Sequence, residues 1–228
     1  MVSAEAIPVE IDANTWPSAD LAWLNSPSNP TGQVQTDDEL KACIQWAQKS
    51  NSILASDECY LSFAKDAKSI LALANGNNTG LLAVLSLSKR SNLAGYRAGF
   101  VVGDSKLIDQ IRQVRKHAGL MVPLPVQQAM IVALSDEKHV QEQAARYSAR
   151  RNTLKAALLS KGFKIEHSEA GLYIWCTRGE DGYKTVDYFA QLGILVTPGA
   201  FYSSDNFVRI ALTASDEKIS QAATRIKA

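Results

Sequence analysis

Lys89 closes a run of eight largely apolar residues, Leu81 to Ser88, so its amine is expected at the end of a buried strand and inside a cleft. Desolvation there lowers a lysine pKa and makes the side chain an amine nucleophile. Ser86 lies three residues before it and Arg97 eight residues after it, with Ser88 adjacent. A hydroxyl and a guanidinium so placed can bracket a phosphate, the second as a bidentate, charge-assisted partner. Two other apolar runs end on polar residues. Leu21–Leu24 leads into Asn25 and the loop Ser26-Pro27-Ser28-Asn29-Pro30-Thr31-Gly32, whose Pro and Gly residues hold the Asn29 amide toward one side. Ile53–Ser56 leads into Asp57, Glu58 and Tyr60. Singly these are ordinary features: a Pro-Thr-Gly loop is usually a turn, a strand-end Asp usually a cap, and a lone lysine usually a surface residue. Their joint placement at three strand ends is the signal, because open parallel sheets bind ligands beyond the carboxyl ends of their strands.

The elements needed to hold these residues are legible. Between the first two runs, Thr36 to Ser50 opens with the capping box Thr36-Asp37-Asp38-Glu39 and puts Leu40, Cys43, Ile44 and Ala47 on one helical face. Strand, helix and strand at this spacing make a βαβ unit and a largely parallel sheet, so the first half is α/β. A fourth strand is expected over Ala98–Gly103, then a helix from Ser105 with Leu107, Ile108, Ile111 and Val114 facing inward. Gly119, Pro123 and Pro125 break the pattern, dividing the chain into a domain of residues 1–122 and another of residues 123–228. The second is expected to be a small α+β domain. Its elements are a helical region from Val126 to Ser160, strands at Phe163–Glu166, Gly171–Thr177, Ile194–Val196 and Phe207–Leu212, and a helix after Ser215.

Composition narrows the classes. Hydrophobic residues at 46% and charged residues at 21% exclude a disordered, collagen-like or coiled-coil chain. A formal charge of +1 supplies no field for nucleic acid or an anionic membrane, so a small-molecule partner is expected. The apolar runs are far short of the roughly 20 residues that span a bilayer, and Met1–Glu5 has no secretory pattern, which predicts a cytoplasmic protein. Cys43, Cys59 and Cys176 read as reduced thiols, and His117, His139 and His167 lack metal-ligand spacing, so no metal is expected.

A lysine nucleophile beside a phosphate clamp points to pyridoxal 5′-phosphate (PLP), with Asp57 as the carboxylate that keeps the pyridine nitrogen protonated. The stretches Ser28–Gly32, Asp57–Tyr60, Ser86–Phe100 and Phe207–Ala211 together resemble the class I/II, fold-type I PLP-dependent aminotransferases. Trp23–Pro30, Val114–Gly119, His167–Tyr173 and Thr197–Tyr202 are similar to the actinobacterial succinyldiaminopimelate transaminases of lysine biosynthesis. The resemblance implies that Lys89 is the Schiff-base lysine and proton shuttle, and that Asn29 and Tyr60 hydrogen-bond the ring 3-oxygen. It implies further that Ser86, Ser88 and Arg97 hold the phosphate, while Asn29 and Arg209 serve the substrate, with Arg209 forking onto its α-carboxylate. The implied reaction moves an amino group between an amino acid, here N-succinyl-LL-2,6-diaminoheptanedioate, and 2-oxoglutarate, in a homodimer.

Nearly all 228 residues take part in the resemblance, whereas the family's N-terminal third or more has no counterpart. That part carries a glycine-containing phosphate loop and the aromatic residue that stacks on the cofactor. The rival expectation is therefore a catalytically incompetent fragment that acts, if at all, by associating with other chains.

Overall fold

The capping box at Thr36 forms as its residue types require. Thr36 Oγ1 accepts from the Glu39 amide at 3.2 Å, and Glu39 Oε2 accepts from the Thr36 amide at 2.7 Å. In this computed structural model, which describes residues 4–228, the helix so started is α1, Asp37–Ser50. It buries Leu40, Cys43, Ile44 and Ala47 and ends on Asn51 in the left-handed conformation, φ 54°. Their packing partners are Leu24 of β1 (Leu21–Asn25), Leu54 of β2 (Ile53–Asp57) and Leu81 of β3 (Leu81–Ser86), together with Ile70 of the short helix α2, Ile70–Leu73.

The first sheet has the order β1-β2-β3-β4. The pairs β1–β2 and β2–β3 are parallel, and β4 (Gly99–Gly103) runs antiparallel to β3. The turn of one helical coil α3, Leu87–Arg90, follows β3, and α4, Ser105–His117, follows β4. The inward face expected of α4 is not covered. Leu107, Ile108 and Ile111 are half-buried and Val114 is 66% exposed, because β4 is the helix's main packing partner among the described residues.

The single helical region expected from Val126 to Ser160 is two helices, α5 (Leu124–Ser135) and α6 (Lys138–Ser160). Asp136 separates them: its carboxylate accepts from the Lys138 amide and meets His139 Nδ1, each at 2.9 Å, and so caps α6. The second sheet, order β5-β6-β8-β7, is antiparallel throughout and comprises β5 (Lys164–Glu166), β6 (Tyr173–Thr177), β7 (Thr197–Pro198) and β8 (Val208–Ala211). Helix α7, Gly182–Gln191, was not expected from the sequence; α8, Asp216–Lys227, begins after Ser215 as expected.

The strand expected at Ile194–Val196 does not form. The Ile194 amide is spent on the Phe189 carbonyl at 2.9 Å and the Gly193 amide on Ala190, which closes α7 and leaves Leu195 94% exposed. Pairing with β8 starts only at Thr197, opposite Arg209. The second core joins Leu154 and Leu158 of α6, Ile174, Val208, Phe189 and Ile226, and it also takes in Tyr60 and Phe63 from the first half of the chain. No described helix is long and apolar enough to cross a membrane.

Candidate active site

Register fixes where the polar strand ends fall. Asn25 lies opposite Asp57, and Asp57 opposite Val84, so the carboxyl ends of β1, β2 and β3 open on the same side of the sheet. The Asn29 loop is tied down from below: the Asn29 amide donates to Asn25 Oδ1 at 2.7 Å, and Asn25 Nδ2 donates to the Asp57 carbonyl at 3.3 Å. It is also tied across to the second half. The Ser168 amide donates to the Thr31 carbonyl at 2.9 Å and the Ala170 amide to the Gly32 carbonyl at 3.1 Å. Gly32 sits at φ +71°, and a Cβ there would lie 2.8 Å from the Ala170 oxygen, so no other residue fits.

Asp57 is half-buried, and its Oδ1 accepts from the Cys59 amide at 3.0 Å. Burial, reinforced by Asp57, pushes the Cys59 thiol up to about 12, while the charge of Lys89 opposes that shift. Asp57, Cys59 and Lys89 therefore share one electrostatic neighbourhood. Ser86 ends β3 with an extended backbone, and its hydroxyl accepts from the Ser88 amide at 3.1 Å. Ser88 and Lys89 then line a cavity of about 530 Å³, with Asn92 beside them and Tyr147, Arg150 and Thr213 across it. Among the described residues, Lys89 forms no ion pair.

Arg209 projects from β8. Its Nη1 donates to Asn29 Oδ1 at 2.8 Å, and its Nε is buried with no partner among the described residues. The guanidinium carbon lies 4.2 Å from the centre of the Tyr173 ring and 5.0 Å from that of Tyr202. The buried Tyr60 hydroxyl is 3.2 Å from the Tyr173 hydroxyl. Burial, with Tyr173 adding to it, pushes the Tyr60 phenol well above its ordinary value against the opposing charge of Arg209.

The structure thus joins Asn29 to Arg209 and Tyr60 to Arg209 through Tyr173, while the charges of Asp57 and Lys89 both act on Cys59. It does not bring every candidate to one cavity: Asn29, Asp57, Tyr60 and Arg209 lie outside the walls that hold Ser88 and Lys89. Arg97 is exposed, in the left-handed conformation at φ 52°, and its Nη1 donates to the Ala94 carbonyl at 2.8 Å.

Tyr173 and Tyr202 went unassigned in the sequence, although both end stretches that carry the resemblance. For Tyr173 a usable signal is strand periodicity. In β6 Trp175 pairs with Arg209 and Tyr173 with Ala211, so Tyr173 is the diagonal neighbour of Arg209 on one sheet face.

Glu58, next to Asp57, is 3% exposed; it accepts from the Ile70 amide at 2.9 Å and leaves Oε2 without a partner among the described residues. Burial raises its pKa, so the fold favours the protonated form. Its contribution is full below the ordinary carboxyl range and is lost as pH rises through the raised folded value. Glu58→Gln keeps the shape without the charge. Its stability relative to the parent is expected to climb with pH, reaching a gain of roughly 1 kcal/mol at neutrality, the scale of one unpaired buried polar group. Urea unfolding at acid and neutral pH measures this, and a difference that does not change with pH refutes it.

The family model for aminotransferase class I and II matches residues 10–226. The chain belongs to that family. This aminotransferase chain is 51% identical over 212 residues to the 4-dedimethylamino-4-oxo-anhydrotetracycline transaminase of Streptomyces rimosus, covering 90% of the chain and 59% of that relative. It is 50% identical to a probable aminotransferase of Mycobacterium tuberculosis, covering 90% of the chain and 51% of that protein. It therefore spans little more than half the length of these relatives. An LL-diaminopimelate aminotransferase of Dehalococcoides mccartyi is 32% identical, with 91% of the chain and 56% of the relative covered. Among solved structures, an aminotransferase from Neisseria meningitidis superposes with a TM-score of 0.84 at 32% identity, covering 91% of the chain and 56% of that structure. The architecture is the α/β fold of the fold-type I aminotransferases, whose cofactor is PLP.

Proposed function

We propose that the chain carries the cofactor- and substrate-binding residues of a PLP-dependent aminotransferase. The observation that carries this reading is the state of Arg209. Its Nη1 is held by Asn29, while the buried Nε lacks the acceptor that a guanidinium in such a place requires. A substrate carboxylate taken on the Nε–Nη2 edge meets that need bidentately.

The remaining residues fit PLP by their chemistry. Among the described residues, Lys89 offers an amine free of ion pairs at a cavity wall, and Asp57 a half-buried carboxylate whose charge, like that of Lys89, acts on Cys59. Tyr60 offers a phenol that burial keeps protonated. Because Asn29 Oδ1 accepts from Arg209, its Nδ2 is left to donate to the ring 3-oxygen, alongside Tyr60. Ser86 and Ser88 present hydroxyls for the phosphate, and Arg97 joins them by leaving the Ala94 carbonyl. PLP supplies an electron sink for the charge that develops at the substrate Cα. With PLP bound, Lys89 Nζ would take up and carry the proton that leaves the substrate Cα, and Asp57 would keep a proton on the ring nitrogen so that the sink is effective.

For the amino-acid pair, the reading is N-succinyl-LL-2,6-diaminoheptanedioate with 2-oxoglutarate as acceptor. Its support is the resemblance noted above and the 32% identity to a protein named for LL-diaminopimelate. The Streptomyces rimosus relative is named for a polycyclic substrate and sets the competing class. Residues 1–122 and 123–228 are read as parts of the large and small domains of a cytoplasmic homodimer. The second reading is a catalytically incompetent chain that acts, if at all, through association with other chains.

The test is to add PLP to the purified chain, record visible absorption, and assay N-succinyl-LL-2,6-diaminoheptanedioate with 2-oxoglutarate as acceptor and the 4-oxo polycyclic compound with glutamate as donor. A saturable band is expected, and its absence overturns the proposal. A band with turnover at about 1 per second or faster selects the first reading, and a band without turnover the second.

A further inference from the structure

Tyr173 stands where the two groups of candidate side chains meet. It is 8% exposed in β6, its ring beneath the Arg209 guanidinium and its hydroxyl 3.2 Å from that of Tyr60. The Tyr60 and Tyr173 rings also pack edge to face, with centroids 5.9 Å apart and planes at 67°. Arg209 forms no ion pair among the described residues, so its orientation rests on Asn29 and on the two flanking rings.

We propose that Tyr173 is a positioning residue for both subsites at once: its ring props Arg209 for the substrate carboxylate, and its hydroxyl aims and strengthens Tyr60 as a donor to the 3-oxygen of bound PLP. This rests on the roles given to Tyr60 and Arg209 above. The Tyr60 hydroxyl has one proton to donate. When that proton goes to the cofactor, the hydroxyl accepts from Tyr173, and a donor that is itself accepting is the stronger donor. The groups bearing on Tyr60 are Tyr173 from β6, Arg209 from β8 and the neighbouring Cys59, and burial keeps its phenol protonated across the working range.

The two halves separate by substitution. Tyr173→Phe keeps the ring and removes the hydroxyl; Tyr173→Leu removes both. Donation to the 3-oxygen favours the form of the bound cofactor that has lost its proton, so weaker donation raises the pH midpoint of the visible absorption. Tyr173→Phe is expected to raise it by roughly 0.2–0.4 pH unit, the scale of one charge-assisted hydrogen bond weakened by about a fifth. Tyr60→Phe is expected to raise it further, and the double variant to match Tyr60→Phe alone. Calorimetry with 2-oxoglutarate on the cofactor-free chain reads the other half: binding weakened about fivefold in Tyr173→Leu and unchanged in Tyr173→Phe.

A midpoint that stays in place in Tyr173→Phe but moves in Tyr60→Phe overturns the hydroxyl's role while leaving the functional reading intact. Unchanged 2-oxoglutarate binding in Tyr173→Leu, with a parental circular dichroism spectrum, overturns the ring's role. If that variant does not fold, Tyr173→Met, which fills more of the space, is measured in its place. A parent chain with no visible PLP absorption overturns the functional reading and this inference together.

Discussion

Replacing Lys89 by alanine is expected to abolish covalent attachment of PLP. Attachment needs a primary amine that is close to the cofactor and not held by a carboxylate. Lys89 is half-buried on a cavity wall and forms no ion pair among the described residues. The adjacent Arg90 cannot substitute, because a guanidinium offers no primary amine for the imine and this one is committed to the Ala133 carbonyl and to Glu137. Lys65 and Lys106 are exposed and lie outside the cavity. Borohydride fixes the lysine–cofactor bond, and peptide mapping then locates it. Label is expected on the peptide carrying Lys89 in the parent and nowhere in Lys89→Ala; label on Lys65 or Lys106 instead would refute the assignment.

The second large effect is expected from Arg209→Lys, which should raise KM for amino-acid substrates roughly ten- to hundredfold, the equivalent of about 1.5–3 kcal/mol for a charged hydrogen bond. An ammonium keeps the charge but loses the planar fork. It also loses the flat cation that lies between the Tyr173 and Tyr202 rings while donating to Asn29. The dissociation constant for PLP, measured in parallel by absorption, is expected to change far less. An equal loss of PLP affinity would place Arg209 on the cofactor rather than on the substrate.

What could be read in advance follows from how local each signal is. The capping box at Thr36 and the three strands ending at Asn25, Asp57 and Ser86 are written in adjacent residues, and they form within a residue of expectation. Helix α7 went unread because Tyr183-Lys184-Thr185-Val186-Asp187-Tyr188-Phe189 mixes aromatic and β-branched residues that carry weak helical preference. What sets it is Asp181, which accepts from the Tyr183 and Lys184 amides, together with the burial of Phe189. The apolar triplet Ile194–Val196 misled for the opposite reason: its hydrophobicity suits a strand, but its first amide is already committed to capping α7.

Within the site, Asn29 and Arg209 are 180 positions apart and Tyr60 and Tyr173 are 113 apart. No window of sequence contains either pair. The resemblance to a family nominated three of those four residues; the fourth, Tyr173, takes its place through strand periodicity once β6 is set against β8.

The two backbone hydrogen bonds from Ser168 and Ala170 to the Asn29 loop have a bearing on selectivity. Together with the bond from the Asn29 amide to Asn25, they fasten the loop to both sheets and hold Asn29 against Arg209. On the proposed reading, the end of the site that would take the carboxylate is thereby a fixed gauge. Substrates of different bulk must find their room elsewhere, so changes that broaden or narrow the range of accepted amino acids are expected away from this gauge. On that reading, every accepted substrate would carry the α-carboxylate.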